Sequence, residues 1–310
     1  MKILVTGGAG YIGSVLVPQL LSRQHTVTVI DNFRYGQAPL LDVIGNSHLT
    51  VIRGDARDRK LMERELDGAD VIIPLACLTG APVSDRFPDD ATTTTRDGIK
   101  NILELRRADQ KIIYPTTNSG YGIGEQGIEC TEETPLRPIS LYGRLKVDAE
   151  RAILGAGNAI TFRLATVFGA SPRMRLDLLV NDFVYRAVND RAIVLFETHF
   201  KRNYLHIRDV ARVFLHGIEH FDAMKNEPYN VGLSDANLSK WELCEKIKVE
   251  LPKFYFVEAA VGKDPDQRNY IVSNAKVERT GFKTEVSLED GIRELIKVCQ
   301  IVQKHGHGNV

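Results

Sequence analysis

"TGGAGYIG", Thr6 to Gly13, follows the apolar run "KILV" and leads into a stretch of helical periodicity. Its glycines fall as G-x-x-G-x-x-G, a variant of the dinucleotide fingerprint found where a strand turns into a helix. Gly7 suits the tight turn, Gly10 lets backbone approach a pyrophosphate, and Gly13 lets helix and strand pack closely. Tyr11 and Ile12 lie at the helix N-terminus, whose free N–H groups attract phosphate. The second β-rich run ends at Asp31-Asn32. A carboxylate there would grip the adenosine ribose 2′-hydroxyl and repel a 2′-phosphate. NAD is therefore the expected cofactor rather than NADP, with Arg34 close by as the one argument for the latter.

The runs "KILVT", "HTVTVI", "LTVI", "DVIIPL", "KIIYP" and "AITFR" are β-rich and mostly separated by segments of 3.6 periodicity. Parallel strands need crossover connections, so this alternation predicts an α/β fold, a Rossmann-type doubly wound parallel sheet with helices on both faces. After about Thr166 the pattern loosens: helical stretches at 178–188 and 210–218 mix with the short runs "IVLF", "NYLHI" and "PYNVG". The expected division is an NAD-binding domain over residues 1–165 and a smaller C-terminal α/β substrate-binding domain over 166–310, with segments near 200–232 returning to the first. Capping boxes, Ser239-x-x-Glu242 and Ser287-x-x-Asp290, open late helices. The tail "KHGHGNV" reads as frayed.

Forty basic residues balance forty acidic ones in the 310-residue chain. No global field then recruits nucleic acid or an anionic membrane. The longest uncharged apolar stretch, Val71 to Val83, is broken by Pro74, Gly80 and Pro82 and is too short to span a bilayer. Four scattered cysteines without a C-x-x-C pair, and an N-terminus without a signal-peptide layout, point to the cytoplasm. His216-Gly217-Ile218-Glu219-His220 matches an inverted zinc-peptidase motif. Gly217 interrupts it and no third ligand is marked, so no metal is expected.

Ser140 to Lys146, "SLYGRLK", opens another helical segment and places Tyr142 and Lys146 on one face at i and i+4. A phenol with a pKa near ~10 is a poor base at neutral pH. A neighbouring ammonium, helped by a nicotinamide cation, would favour phenolate and lower that value.

With "TGGAGYIG", "DN" at Asp31, "GDARD" at Gly54, Tyr142/Lys146, "RNYLHIRDVA" and "YNVG" on one chain, the sequence resembles the extended short-chain dehydrogenases/reductases, the nucleotide-sugar epimerases and dehydratases. The resemblance implies that "YPTTNSGYGIG", Tyr114 to Gly124, carries the catalytic hydroxyl on Thr117, with Tyr142 moving the proton and Lys146 also holding the nicotinamide ribose. It implies Asp55 and Ala56 at the adenine, Leu75 and Ala76 along the cofactor cleft, and the glycines of "YGIG" passing backbone close to sugar and nicotinamide. For the substrate, it implies Arg202 and Arg268 at the diphosphate, Asn181 at the nucleotide, Arg175 nearby, and Asn118 and Ser119 beside the sugar. Members commonly form homodimers through two helices per subunit.

Where the family's 4,6-dehydratases follow the catalytic Thr with Asp-Glu, this chain has Asn118-Ser119. Neither does general acid–base work at neutral pH, which disfavours water elimination. Hydride removal at C4 remains, ending either in a released ketone or in a 4-epimer. Pro74, Thr95 and Thr166 depart from the galactose-epimerase pattern. The stretch from "RLATVF" to "VNDF" looks most like bacterial enzymes acting at C4 of GDP-manno-heptose in surface polysaccharide pathways. UDP-glucose 4-epimerase is the alternative. A non-catalytic NAD-binding protein is disfavoured by intact Thr117, Tyr142 and Lys146.

Overall fold

In the computed structural model, which describes residues 1–125, 127–260, 268–303 and 306–309, the six β-rich runs of the first half all become strands. They are β1 (Lys2–Thr6), β2 (Thr26–Asp31), β3 (Leu49–Arg53), β4 (Val71–Pro74), β5 (Lys111–Thr117) and β7 (Ala159–Leu164). With β11 (Glu227–Val231) they form one sheet in the order β11-β7-β5-β4-β1-β2-β3, parallel at every pairing. This is the expected doubly wound sheet. Every residue of β4 and β7 is buried, as a strand covered by helices on both faces requires; hence their near-continuous apolar runs.

Helices Gly13–Ser22 and Ile207–Glu219 cover one face through Leu16, Val17, Leu20, Val210 and Phe214. Helices Arg59–Asp67, Pro88–Leu105 and Leu141–Ala156 cover the other through Met62, Ile99, Ile102 and Ile153. The chain thus leaves the sheet after β7 and comes back to supply a helix and a seventh strand. A second core gathers Val180, Phe183, Leu243, Ile292 and Leu295 from helices Leu179–Asn189, Lys240–Glu250 and Leu288–Ile301. Short sheets accompany it: β8 (Thr166–Phe168) with β10 (Lys201–His206) and β12 (Asn237–Ser239), β9 (Ala192–Leu195) with β13 (Tyr255–Glu258), and β6 (Glu129–Cys130) with β14 (Ile271–Val272).

The capping box at Ser239 forms in full. At Ser287 half of it forms: Ser287 Oγ accepts from the Asp290 amide, while the Asp290 carboxylate takes the Ser287 hydroxyl instead of a backbone N–H. Among the described residues no helix is long and apolar enough to cross a membrane.

One buried ion pair ties the sheet to the helix that carries Tyr142 and Lys146. Arg163 on β7 donates to Glu150 at 2.7 Å, with side chains only 7% and 3% exposed. Its other nitrogen reaches Tyr121 Oη and the Glu132 carbonyl, both at 3.1 Å. Replacing Glu150 with Ala leaves a buried guanidinium without its counter-charge. The expected loss is about 3–5 kcal/mol in denaturant unfolding; a loss below about 1 kcal/mol would show that water or relaxation replaces the carboxylate.

Candidate active site

The strand order reverses at β1, and the connections leaving β1 and β4 run to opposite faces of the sheet, which leaves a crevice at its carboxyl edge. The loops after β1 to β5, joined by the segment after β8, line a cleft of about 1670 Å³ counting its open mouth.

Gly7 sits at the floor with φ +72°, and a Cβ there would lie 2.6 Å from the Ala76 nitrogen. The turn can therefore press against β4 only as glycine. The N–H groups of Tyr11, Ile12 and Gly13 find no acceptor among the described residues. They stand free at the start of helix Gly13–Ser22, as an anion site requires. The Asp31 carboxylate accepts from the amides of Ala9 at 2.9 Å and Phe33 at 2.8 Å, which fixes it at the rim. Burial pushes its carboxyl up against the pull of those amides. Gly7, Gly10, Asn32, Asp55, Ala56, Leu75 and Ala76 share this wall. Asp55 is gripped by Arg57 through Nε at 3.0 Å and Nη2 at 2.7 Å, which holds it below the usual carboxylate range. Arg34 is drawn to Asp90 at 2.8 Å. A cradle of free amides with a fixed carboxylate beyond it fits NAD.

At the other end Thr117, Tyr142 and Lys146 converge on the same cleft. Ser140 caps helix Leu141–Ala156 by accepting from the Gly143 amide at 3.1 Å, which puts Tyr142 in the first turn and Lys146 one turn below. Lys146 Nζ donates to the Pro115 carbonyl at 2.9 Å. Burial pulls this ammonium down, yet the acidic groups around it, Cys77, Tyr114 and Tyr142, hold it above the ordinary lysine range. Tyr142 departs from the expectation of a lowered pKa. Desolvation outweighs the Lys146 charge and pushes the phenol up to about 12 without ligands. Lys146 offsets part of that rise, and a second nearby cation would be needed to complete the shift. Thr117 Oγ1 donates to Ser119 Oγ at 2.9 Å and accepts from the Ser119 amide at 3.1 Å. Its hydroxyl proton must leave Ser119 to serve a ligand.

Of the residues expected at the substrate, Ser119, Arg175 and Arg268 line the cleft. Arg268 donates to Ser119 Oγ, and Arg175 forks onto Asp177 at 2.6 and 3.2 Å. Three others do not reach the wall. Asn181 is buried as a brace, accepting from the Gly169 amide and donating to the Arg175 carbonyl and Tyr11 Oη. Asn118 is buried with neither amide atom paired. Arg202 lies behind Tyr270, 5.6 Å from its ring centre. The glycines after Ser119 are also placed differently from expectation. Gly122, at φ +68°, abuts the Arg137 carbonyl so closely that a Cβ would overlap it, and this turn packs on protein rather than on ligand.

Sequence reasoning missed Arg173, which is stacked 4.1 Å over Tyr35 on the cleft wall with its Nε unpaired. The "RMR" spacing, which sets residues 173 and 175 on one side of an extended segment, was the available signal. The tail expected to fray does not do so over 306–309. Gln37 Nε2 donates to the Gly306 carbonyl at 2.6 Å and the Leu176 amide to that of His307 at 2.6 Å, and Asn309 lines the cleft. His305 lies outside the described residues. At the zinc-like motif, Glu219 pairs with Arg23 at 2.8 Å and His216 Nε2 meets Thr280 Oγ1 at 2.8 Å. Among the described residues no group of three or more His, Cys, Asp or Glu could hold a metal.

Compared with known proteins, the chain matches over residues 3–232 the family model described as "NAD dependent epimerase/dehydratase family". It is 27% identical to the low-salt glycan biosynthesis protein Agl12 of Haloferax volcanii, over 96% of this chain and 97% of that one. It is also 27% identical to a putative UDP-glucose 4-epimerase of Methanocaldococcus jannaschii, over 95% and 97%. In structure it is similar to the Thermus thermophilus UDP-glucose 4-epimerase in complex with NAD, with TM-score 0.84, 24% identity and 98% and 100% coverage. The Thermotoga maritima UDP-glucose 4-epimerase with UDP-glucose gives TM-score 0.82 and 25% identity over 97% and 99%. The cofactor is NAD.

Lys146 favours the phenolate of Tyr142, so removing its charge raises the phenol's pKa further. In Lys146→Met the acid limb of the pH profile for hydride transfer should move up by at least about one pH unit. An unshifted limb would mean that Tyr142 does not sense this ammonium.

Proposed function

The chain belongs to the NAD dependent epimerase/dehydratase family, and on that premise we propose that it oxidises C4 of a nucleotide-diphosphate sugar. One observation carries this reading: among the described residues lining the cleft, Asp31 and Asp55 are the only carboxylates, and both stand in the cofactor half, pinned by amides or by Arg57. Beside Thr117 the chain offers Asn118 and Ser119. Hydride and proton can be moved at a carbinol carbon, but among the described residues no carboxyl lines the cleft beside Thr117 to expel water from the neighbouring carbons.

When bound, NAD supplies the hydride acceptor. Tyr142 takes the proton of the sugar hydroxyl through its phenolic oxygen, with the Lys146 ammonium stabilising the charge that develops there. Thr117, once released from Ser119, hydrogen-bonds the same sugar oxygen and orients it. Arg268 and Arg175 line the cleft bound to Ser119 and Asp177; turned from these partners, their guanidinium forks suit diphosphate oxygens. The finer reading is a GDP-linked manno-heptose or related sugar, converted to a 4-keto product for surface polysaccharide. It is supported by the resemblance of the stretch from Arg163 to Phe183. The second reading is a 4-epimerase that returns the hydride to the other face. It is favoured by the putative UDP-glucose 4-epimerase among its relatives. A homodimer is proposed for either.

The test is incubation with a panel of GDP- and UDP-linked sugars. Accumulating NADH with a 4-keto sugar establishes the dehydrogenase, whereas a stereoisomer at constant redox state establishes the epimerase. A product that has lost water would overturn both. Tyr142→Phe should keep NAD binding by calorimetry and lose at least about 10²-fold in turnover; retained turnover would remove Tyr142 from the mechanism.

A further inference from the structure

The Lys146 ammonium has a second neighbour that the mechanism above does not use. It lies over the ring of Tyr114 on β5, 4.4 Å from the ring centre, and both side chains are buried, at 3% and 2% exposure. We propose that Tyr114 is a positioning residue for the catalytic pair: its ring face carries the Lys146 ammonium and fixes it within reach of Tyr142. This rests on the reading of Tyr142 as the base and extends it to the residue beneath.

A lysine side chain is a flexible stem ending in a point charge with three donors. Here Nζ donates to the Pro115 carbonyl next to Tyr114 at 2.9 Å. That backbone acceptor alone would leave the head free to pivot. A cation over a desolvated ring removes that freedom, because the attraction is strongest where water is excluded. The charge felt by Tyr142 depends on where the ammonium rests, since Coulomb attraction in a buried site falls steeply when water enters or distance grows. The Tyr114 hydroxyl is buried, and it too acts on the Lys146 ammonium. The fixed position is assigned to the ring face, whose centre lies 4.4 Å from Nζ.

The other groups facing this cluster are Cys77, from the segment after β4, Tyr142 and Glu150, from the helix that bears Lys146, and Arg175, which acts on Tyr142 from the segment after β8. Cys77 and Tyr142 favour the charged lysine, and Arg175 favours the Tyr142 phenolate. None of these lies beneath the ammonium as Tyr114 does.

Two variants separate the ring from the hydroxyl and from bulk. Tyr114→Phe keeps the face, whereas Tyr114→Leu keeps an apolar side chain and loses it. In Tyr114→Leu the acid limb of the pH profile for hydride transfer is expected to move up by about one pH unit, ~1.4 kcal/mol of lost phenolate stabilisation. Tyr114→Phe should stay within a few tenths of the parent. A second readout needs no turnover. Ultraviolet difference titration of the cofactor-free protein against its Tyr142→Phe variant isolates the Tyr142 phenol, which should ionise later in Tyr114→Leu. If Tyr114→Leu lowers the melting temperature but shifts neither profile nor titration, Tyr114 is a core residue and the proposal falls. Equal shifts in both variants would also overturn it, by assigning the effect to the hydroxyl. Should Tyr142→Phe retain turnover, the functional reading fails instead, while the titration still decides whether Tyr114 sets the phenol.

Discussion

A parallel sheet wound outward in both directions from one strand cannot close the gap at its carboxyl edge. Everything functional in this chain depends on that constraint. β1 is flanked by β2 and β4, and the connections leaving β1 and β4 run to opposite faces, so a crevice opens between them. The Gly7 turn is pressed against Leu75 and Ala76 so closely that no side chain fits between. That contact brings the free amides of the glycine turn, the Asp31 carboxylate and the end of β5 to one edge. The covering helices then add Tyr142 and Lys146 from above.

The catalytic end is governed by a contest between desolvation and charge. Removing water from Tyr142 favours the neutral phenol, and Lys146 recovers only part of that cost. A phenol in this balance holds its proton until more positive charge arrives. Lys146 is itself kept charged against burial by the acidic groups that surround it. Phenol and ammonium therefore cannot be understood one at a time.

Legibility in the sequence followed the range of the interactions involved. The placement of Thr6–Gly13, Asp31 and the Tyr142–Lys146 pair on one cleft was readable because each rests on local spacing: a turn, a strand end, one helical repeat. Asn181, Asn118 and Arg202 stand back from the cleft wall, a placement that depends on what the chain brings against them. Asn181 spends its amide on Gly169, Arg175 and Tyr11, the last 170 positions away. Arg173 was overlooked since Tyr35, which it stacks on, lies far along the chain. The tail looked frayed because its Gly-rich composition carries no sign of the Gln37 and Leu176 partners that hold its backbone.

By itself the sequence determined the doubly wound sheet and the glycine turn that leads from β1 into the first helix. These follow from backbone conformational limits, side-chain periodicity and hydrogen bonds that close within one strand–turn–helix unit. Only the tertiary structure decided which polar groups face the cleft, that the carboxylates lining it among the described residues stand in the cofactor half, and that the phenol's pKa is raised rather than lowered. Those outcomes depend on burial, and burial is set by elements that meet across the fold and not by residues adjacent in the chain.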